Sequence, residues 1–208
     1  MEKISKRENI LLVAEQLFAE LGYEGTSTRQ ISKEADVNMS MINYYFGSKE
    51  GVFMEILSNR IKDFNLQLKS ISEDQAPNMD KLLRVVDGYA KRILSNIPFH
   101  RMMQRELSLA QRPEMFSTIK EAMMANVSLI ENIVNDGIAK GKFRKVDVRM
   151  LIATIIGTIS NVVIFPFKVD ADLNLDLTKQ KDLEIISARL IAHLNDLIIT
   201  YLTPDDAI

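Results

Sequence analysis

The chain has 208 residues, 47% of them hydrophobic and 26% charged, with eight Gly and five Pro, a balance that fits a helix-rich globular protein and excludes extended disorder. It contains no cysteine, which excludes disulfides, thiolate zinc sites and cysteine nucleophiles and points to a reducing cytoplasm. The formal net charge is −2, and within residues 1–66 eight cations face ten acids, so there is no bulk basic field and any affinity for nucleic acid must come from local geometry.

The N-terminus is charged and lacks the apolar core of a secretory signal, which again predicts a cytoplasmic protein. Ser5 and Glu8 stand at capping-box spacing. Ile10, Leu11, Ala14, Leu17, Phe18 and Leu21 then recur every three to four residues up to Gly22, predicting a first helix with one apolar stripe and a glycine C-cap. Ser27 and Gln30 repeat the capping spacing and open a short helix over 28–35. Asp36, Val37 and Asn38 form a turn, with Asn38 capping a third helix over 39–45 that Gly47 closes. Ser48 caps a fourth helix of about five turns, lined by Val52, Phe53, Ile56, Leu57, Ile61, Phe64 and Leu68.

A polar loop is expected over 72–78, followed by helices near 79–96, 98–110, 113–139, 147–165 and 181–203. No stretch alternates like a strand and no internal repeat appears, so the fold is expected to be all-α with about nine helices. The most membrane-like run, 150–165, is interrupted by Thr154, Gly157, Thr158, Ser160 and Asn161. Pro166 ends it short of the roughly 20 apolar residues of a span, so it reads as a buried helix at a subunit contact and no membrane partner is expected.

Two short helices joined by a three-residue turn, with small Ala35 at their crossing and Val37 plugging the turn, have the layout of a helix-turn-helix. In the second of them Ile42 and Phe46 face the core, leaving Met39, Ser40, Met41, Asn43, Tyr44 and Tyr45 on the remaining faces. Tyrosines beside Asn and Ser suit phosphates and base edges better than bulk water. Lys49 opens the next helix at its N-terminus, where the macrodipole disfavours a cation and a phosphate would reconcile the two; Thr28 stands at the corresponding place in the second helix.

Residues 7–53 resemble the DNA-binding domain of the TetR family of bacterial transcriptional regulators. The marks are Leu21-Gly-Tyr, Thr26-Ser-Thr-Arg-Gln-Ile-Ser32, Ala35-Asp-Val37 and Tyr44-Tyr-Phe-Gly-Ser-Lys-Glu50. The resemblance implies phosphate contacts from Thr28, Tyr44 and Lys49 and a groove-facing surface from Met39, Ser40, Met41 and Asn43, with Arg29 and Tyr45 completing the candidate set. Asp36 and Ser40 stand where the family often has Gly, and Asn43 where it often has Tyr. Asn43 suits adenine and the methionines suit thymine methyls.

The resemblance further implies a reading domain over 1–48 and a ligand-binding and dimerisation domain over 49–208. Partners would be a palindromic duplex operator, a second copy and a small apolar or amphipathic effector. Tyr89, Phe99, Met102, Met103, Met115, Phe116 and Met123 are soft, adaptable side chains and form the candidate effector set, an ordinary core being the alternative. His100 and His193 stand far apart without an acidic cluster, so no metal is expected, and neither a phosphate loop nor a nucleophile elbow marks an enzyme or a cofactor. The function expected is a ligand-responsive repressor. The alternatives are an architectural or division-control DNA-binding protein without an effector, and a helical ligand carrier.

Overall fold

The computed structural model describes residues 4–109, 113–169 and 175–204, and every regular element among the described residues is helical. α1 (Lys6–Gly25) starts on Ser5. The Ser5 hydroxyl accepts from the Glu8 amide at 3.2 Å and the Glu8 carboxylate accepts from the Ser5 amide at 2.9 Å, satisfying two amides that a helix start leaves without intrahelical partners. Gly22 takes φ 77°, so the regular helix breaks at the expected glycine and an irregular last turn carries the chain to Gly25.

α2 (Thr28–Glu34) and α3 (Met39–Phe46) are capped by Ser27 and Asn38. α4 (Lys49–Glu73) runs beyond the expected five turns, because Leu68 and Ile71 extend its buried stripe and draw Ser70 and Ser72 into the helix. α5 (Asn78–Leu94), α6 (Ile97–Leu109), α7 (Pro113–Ala139), α8 (Val148–Ile164) and α9 (Gln180–Leu202) follow, with a 3₁₀ turn at Pro166–Lys168.

Packing divides the chain into two units, Met1–Asp63 with Ile97–Met123 and Phe64–Asn96 with Met124–Ile208. These divisions fall inside α4 and α7, whereas the sequence reading separates reading and sensing segments at 48/49. In unit 1, α6 packs along α1 and sends Phe99 and Met102 into a core with Ile10, Phe18, Ile31, Ile42, Phe53 and Ile56. Three rings form its centre: Phe18 stacks on Tyr23 at 5.6 Å, and Phe53 meets Phe18 and Tyr23 edge-on at 5.2 and 4.9 Å. Burying such rings supplies both area and a defined mutual orientation.

In unit 2, α5 packs against both α8 and α9. The buried stripe of α9 is Ile186, Leu190, Leu194, Ile198 and Leu202, four residues apart throughout, as one helix face requires. The start of α5 is tied to α7 by Asn78, whose side-chain amide donates to the Ile133 carbonyl at 3.0 Å and to Asp136 at 2.9 Å. Among the described helices, α9 is long and apolar enough by composition to cross a membrane, with a mean hydropathy of 1.3, whereas α8 is apolar but shorter. The apolar content of α9 is used in part on the stripe facing α5.

Candidate nucleic-acid interface

The α2–α3 pair is built from three kinds of local constraint. Ser27 and Gln30 cap α2 reciprocally, and the Asn38 side chain accepts from the Ser40 amide at 2.9 Å to start α3. Between them Asp36 adopts φ 50°, the left-handed conformation that Asp tolerates better than most residues. The Val37 amide donates to the Ser32 carbonyl at 3.0 Å. The third constraint is tertiary: the Asn9 side chain in α1 donates to the Ala35 carbonyl at 2.8 Å and holds the end of α2.

On this frame α3 buries Ile42 completely and leaves Tyr44 83% and Met39 49% exposed, while Ser40, Asn43 and Arg29 are exposed as well. Thr28 is half-buried at the first position of α2. Met41 and Tyr45 are partly buried against the unit 1 core, so these two lie at the edge of the outward face. The Tyr45 ring meets Tyr44 edge-on at 5.1 Å. No residue of α3 carries a charge, so a polyanion approaching this face meets hydroxyls, an amide and thioethers and no carboxylate.

Part of the acidic count of the N-terminal segment is paired within the protein. Glu55 pairs with Arg7 and Glu15 with Arg60, and the Arg7 guanidinium lies 5.4 Å over the Phe46 ring, joining α1, α3 and α4. Lys49 is likewise engaged within the protein: its ammonium donates to the Tyr23 carbonyl at 2.9 Å and sits 4.2 Å over the Tyr23 ring, with Glu24 at 3.9 Å. An ammonium has three donors, so this contact leaves others for an external anion while bracing the start of α4 against the end of α1. Sequence reasoning missed the positioning roles of Arg7 and Asn9 because their partners lie far along the chain, and no local spacing signals them.

The candidate effector residues belong to both units, Phe99, Met102, Met103 and Met123 to unit 1 and Tyr89 to unit 2. Phe99 is 2% and Met102 5% exposed, and both belong to the unit 1 core; Arg60 lies 4.5 Å over the Phe99 ring. Met103 packs partly buried on the same core, and Met123 is 38% exposed. The side chains of Met115 and Phe116 lie outside the described residues. Tyr89, in unit 2, packs on Phe64 with ring centroids 5.3 Å apart, and burial pushes its phenol up to about 12, which keeps it a neutral hydrogen-bonding group.

Residues 10–56 match the family model described as bacterial regulatory proteins, tetR family, and residues 75–164 match that of the tetracyclin repressor-like C-terminal domain. The probable HTH-type transcriptional regulator YttP of Bacillus subtilis is 32% identical over 105 residues, 50% of this chain and about half (49%) of that protein. A fatty acid metabolism regulator protein of the same organism is 24% identical over 163 residues, 78% of this chain and 84% of that protein. The solved structure of the transcriptional regulator FadR from Bacillus subtilis in complex with stearoyl-CoA superposes with a TM-score of 0.71 at 23% identity, covering 89% of this chain and 96% of that one.

Proposed function

Because the chain belongs to the TetR family of bacterial transcriptional regulators, we propose that it is a ligand-responsive repressor that binds a palindromic duplex operator as a homodimer and leaves it when a small amphipathic molecule binds. It acts as a regulator and not as an enzyme, in the cytoplasm where chromosomal DNA lies. The observation that carries this reading is the uncharged outward face of α3, with Tyr44 83% exposed on a helix pinned by Ile42. A large aromatic hydroxyl left in water on a rigid eight-residue helix gains most when it meets a phosphate.

Asn43, Met39, Ser40 and Met41 are proposed to meet base edges, and Thr28, Arg29, Tyr44, Tyr45 and Lys49 the sugar-phosphate backbone, within the reading segment 1–48 and the start of α4. Long-chain acyl-CoA is the proposed effector class. Support comes from the fatty acid metabolism regulator among the relatives and the stearoyl-CoA complex of FadR, and Tyr89 beside Phe64 is the polar and aromatic pair proposed to serve it in unit 2. The effector shifts the population towards a state that fits the operator less well.

The test is a gel shift on the DNA upstream of the coding sequence, with wild type and Tyr44→Ala, in the presence of stearoyl-CoA, free CoA or stearate. Loss of one hydrogen bond to a charged group lowers affinity by about ten- to a hundredfold, so Tyr44→Ala is expected to weaken binding that much without loss of stability. Stearoyl-CoA alone is expected to release the wild type. Equal binding by both proteins would overturn the α3 assignment. Binding indifferent to all three additives would overturn the effector class and favour an architectural role.

A further inference from the structure

Among the eight glycines of the chain, Gly51 is the one at which a side chain would run into backbone among the described residues. A Cβ placed on it would lie 3.0 Å from the Phe46 carbonyl carbon and nearer still to the carbonyl oxygen, short of the roughly 3.5–4.0 Å at which carbon atoms meet. At Gly88 and Gly137 the obstacle is instead a side chain, that of Gln67 and that of Phe143. Gly51 is half-buried in the first turn of α4, where its amide donates to the Ser48 hydroxyl at 3.1 Å. Glycine weakens a helix interior relative to alanine, so its use here lies in the close approach of α3.

Gly47 bears on the same carbonyl. It takes φ 75° and ψ −43°, outside even the small left-handed region that other residues can enter. The peptide unit between Phe46 and Gly47 is planar, so its direction is fixed by ψ of the first residue and φ of the second. Its N–H donates to the Asn43 carbonyl at 3.0 Å and closes α3, and its C=O is the group that meets Gly51. Gly47 lets this peptide face α4, and Gly51 gives it room.

The ring of Phe46 is held from the same side. Glu55 stands four residues beyond Gly51 and so on the same face of α4. It pairs with Arg7, whose guanidinium lies 5.4 Å over the Phe46 ring. One face of α4 therefore holds the last residue of α3 twice, at its carbonyl directly and at its ring through Arg7.

Resting on the operator reading above, we propose that Gly47 and Gly51 are positioning residues of the DNA reader, which together seat the last carbonyl of α3 in the first turn of α4 and so set where α3 stands. They act through α3 and not by touching DNA. A side chain at position 51 displaces α3 by more than the ~0.5 Å within which a binding constellation has to be held.

Operator binding and urea denaturation of the full chain, with Gly51→Ala, Gly47→Ala and the double variant, test this. Gly51→Ala is expected to stay helical by circular dichroism and to bind the operator about tenfold or more weakly. Its affinity for an unrelated duplex is expected to stay within about twofold, because non-specific binding rests on phosphate charge and not on the placing of base contacts. Once alanine at position 47 has turned the peptide away, a Cβ at position 51 no longer meets it. The double variant is therefore expected to lose no more stability or operator affinity than Gly47→Ala alone. Operator binding by Gly51→Ala equal to that of wild type would overturn the proposal, as would losses in the double variant equal to the product of the single ones. Should Gly51→Ala unfold instead, a folded double variant would support the pairing and an unfolded one would overturn it. A wild type that binds no upstream DNA would overturn the function proposed above, while the denaturation series would still decide the pairing of the two glycines.

Discussion

The helices that carry the proposed reading surface in unit 1 are seven and eight residues long, whereas α8 and α9 in unit 2 run to 17 and 23, and the two units hold their elements by correspondingly different means. Isolated helices shorter than about 12–15 residues are marginal in water, so α2 and α3 depend on caps, on the left-handed turn at Asp36 and on the three rings beneath them. In unit 2 the contacts are aliphatic stripes such as Ile155, Ile159 and Val163 on α8 or Leu190 and Leu194 on α9. Cores of that kind tolerate repacking at conserved volume. Under the proposed function a DNA reader needs one geometry and a sensor a second arrangement of comparable energy; few irreplaceable contacts would serve the first and many exchangeable ones the second.

The contrast is most severely tested at Phe53, which is fully buried and touches both other rings. Phe53→Ala is expected to cost about 3–5 kcal/mol in urea denaturation and to abolish operator binding. A cost under about 1 kcal/mol would show that unit 1 repacks as freely as unit 2 is expected to.

Acid comes next. His100 is 3% exposed in unit 1, and burial pushes its imidazole from 6.5 down to about 4. Between those two pH values the unfolded chain binds a proton that the folded chain refuses, so the contribution of His100 to stability is complete above 6.5 and is lost as pH falls towards 4. The loss is on the order of 3 kcal/mol. Denaturation midpoints of wild type and His100→Gln across this window should diverge accordingly, the variant giving the flatter profile.

The smallest of the three effects is expected at the turn. Asp36→Val places a β-branched residue at φ 50° and should cost about 1–2 kcal/mol, while Asp36→Gly should leave the thermal midpoint unchanged or raised. Equal stability of the valine variant would mean that the turn is free to adopt another conformation, contrary to a reader with a single geometry.

By itself the sequence determined the order, type and near ends of the helices, because caps, glycines and apolar spacing act within a few residues: Ser5, Ser27 and Asn38 cap where their spacing says, and Tyr44 stands off the face of Ile42. It also determined the family, through the Tyr44 to Glu50 run. Only the tertiary structure decided what each buried face meets. Phe99 and Met102 repeat at the spacing of any apolar stripe, and periodicity reports that a face is buried without saying against which partner, so their place beside α1 was not legible. The same holds for the charges. Arg60 finds Glu15 and Lys49 finds Tyr23 at separations of 45 and 26 residues, and such pairings depend on where the chain returns in space, a property that no local pattern encodes.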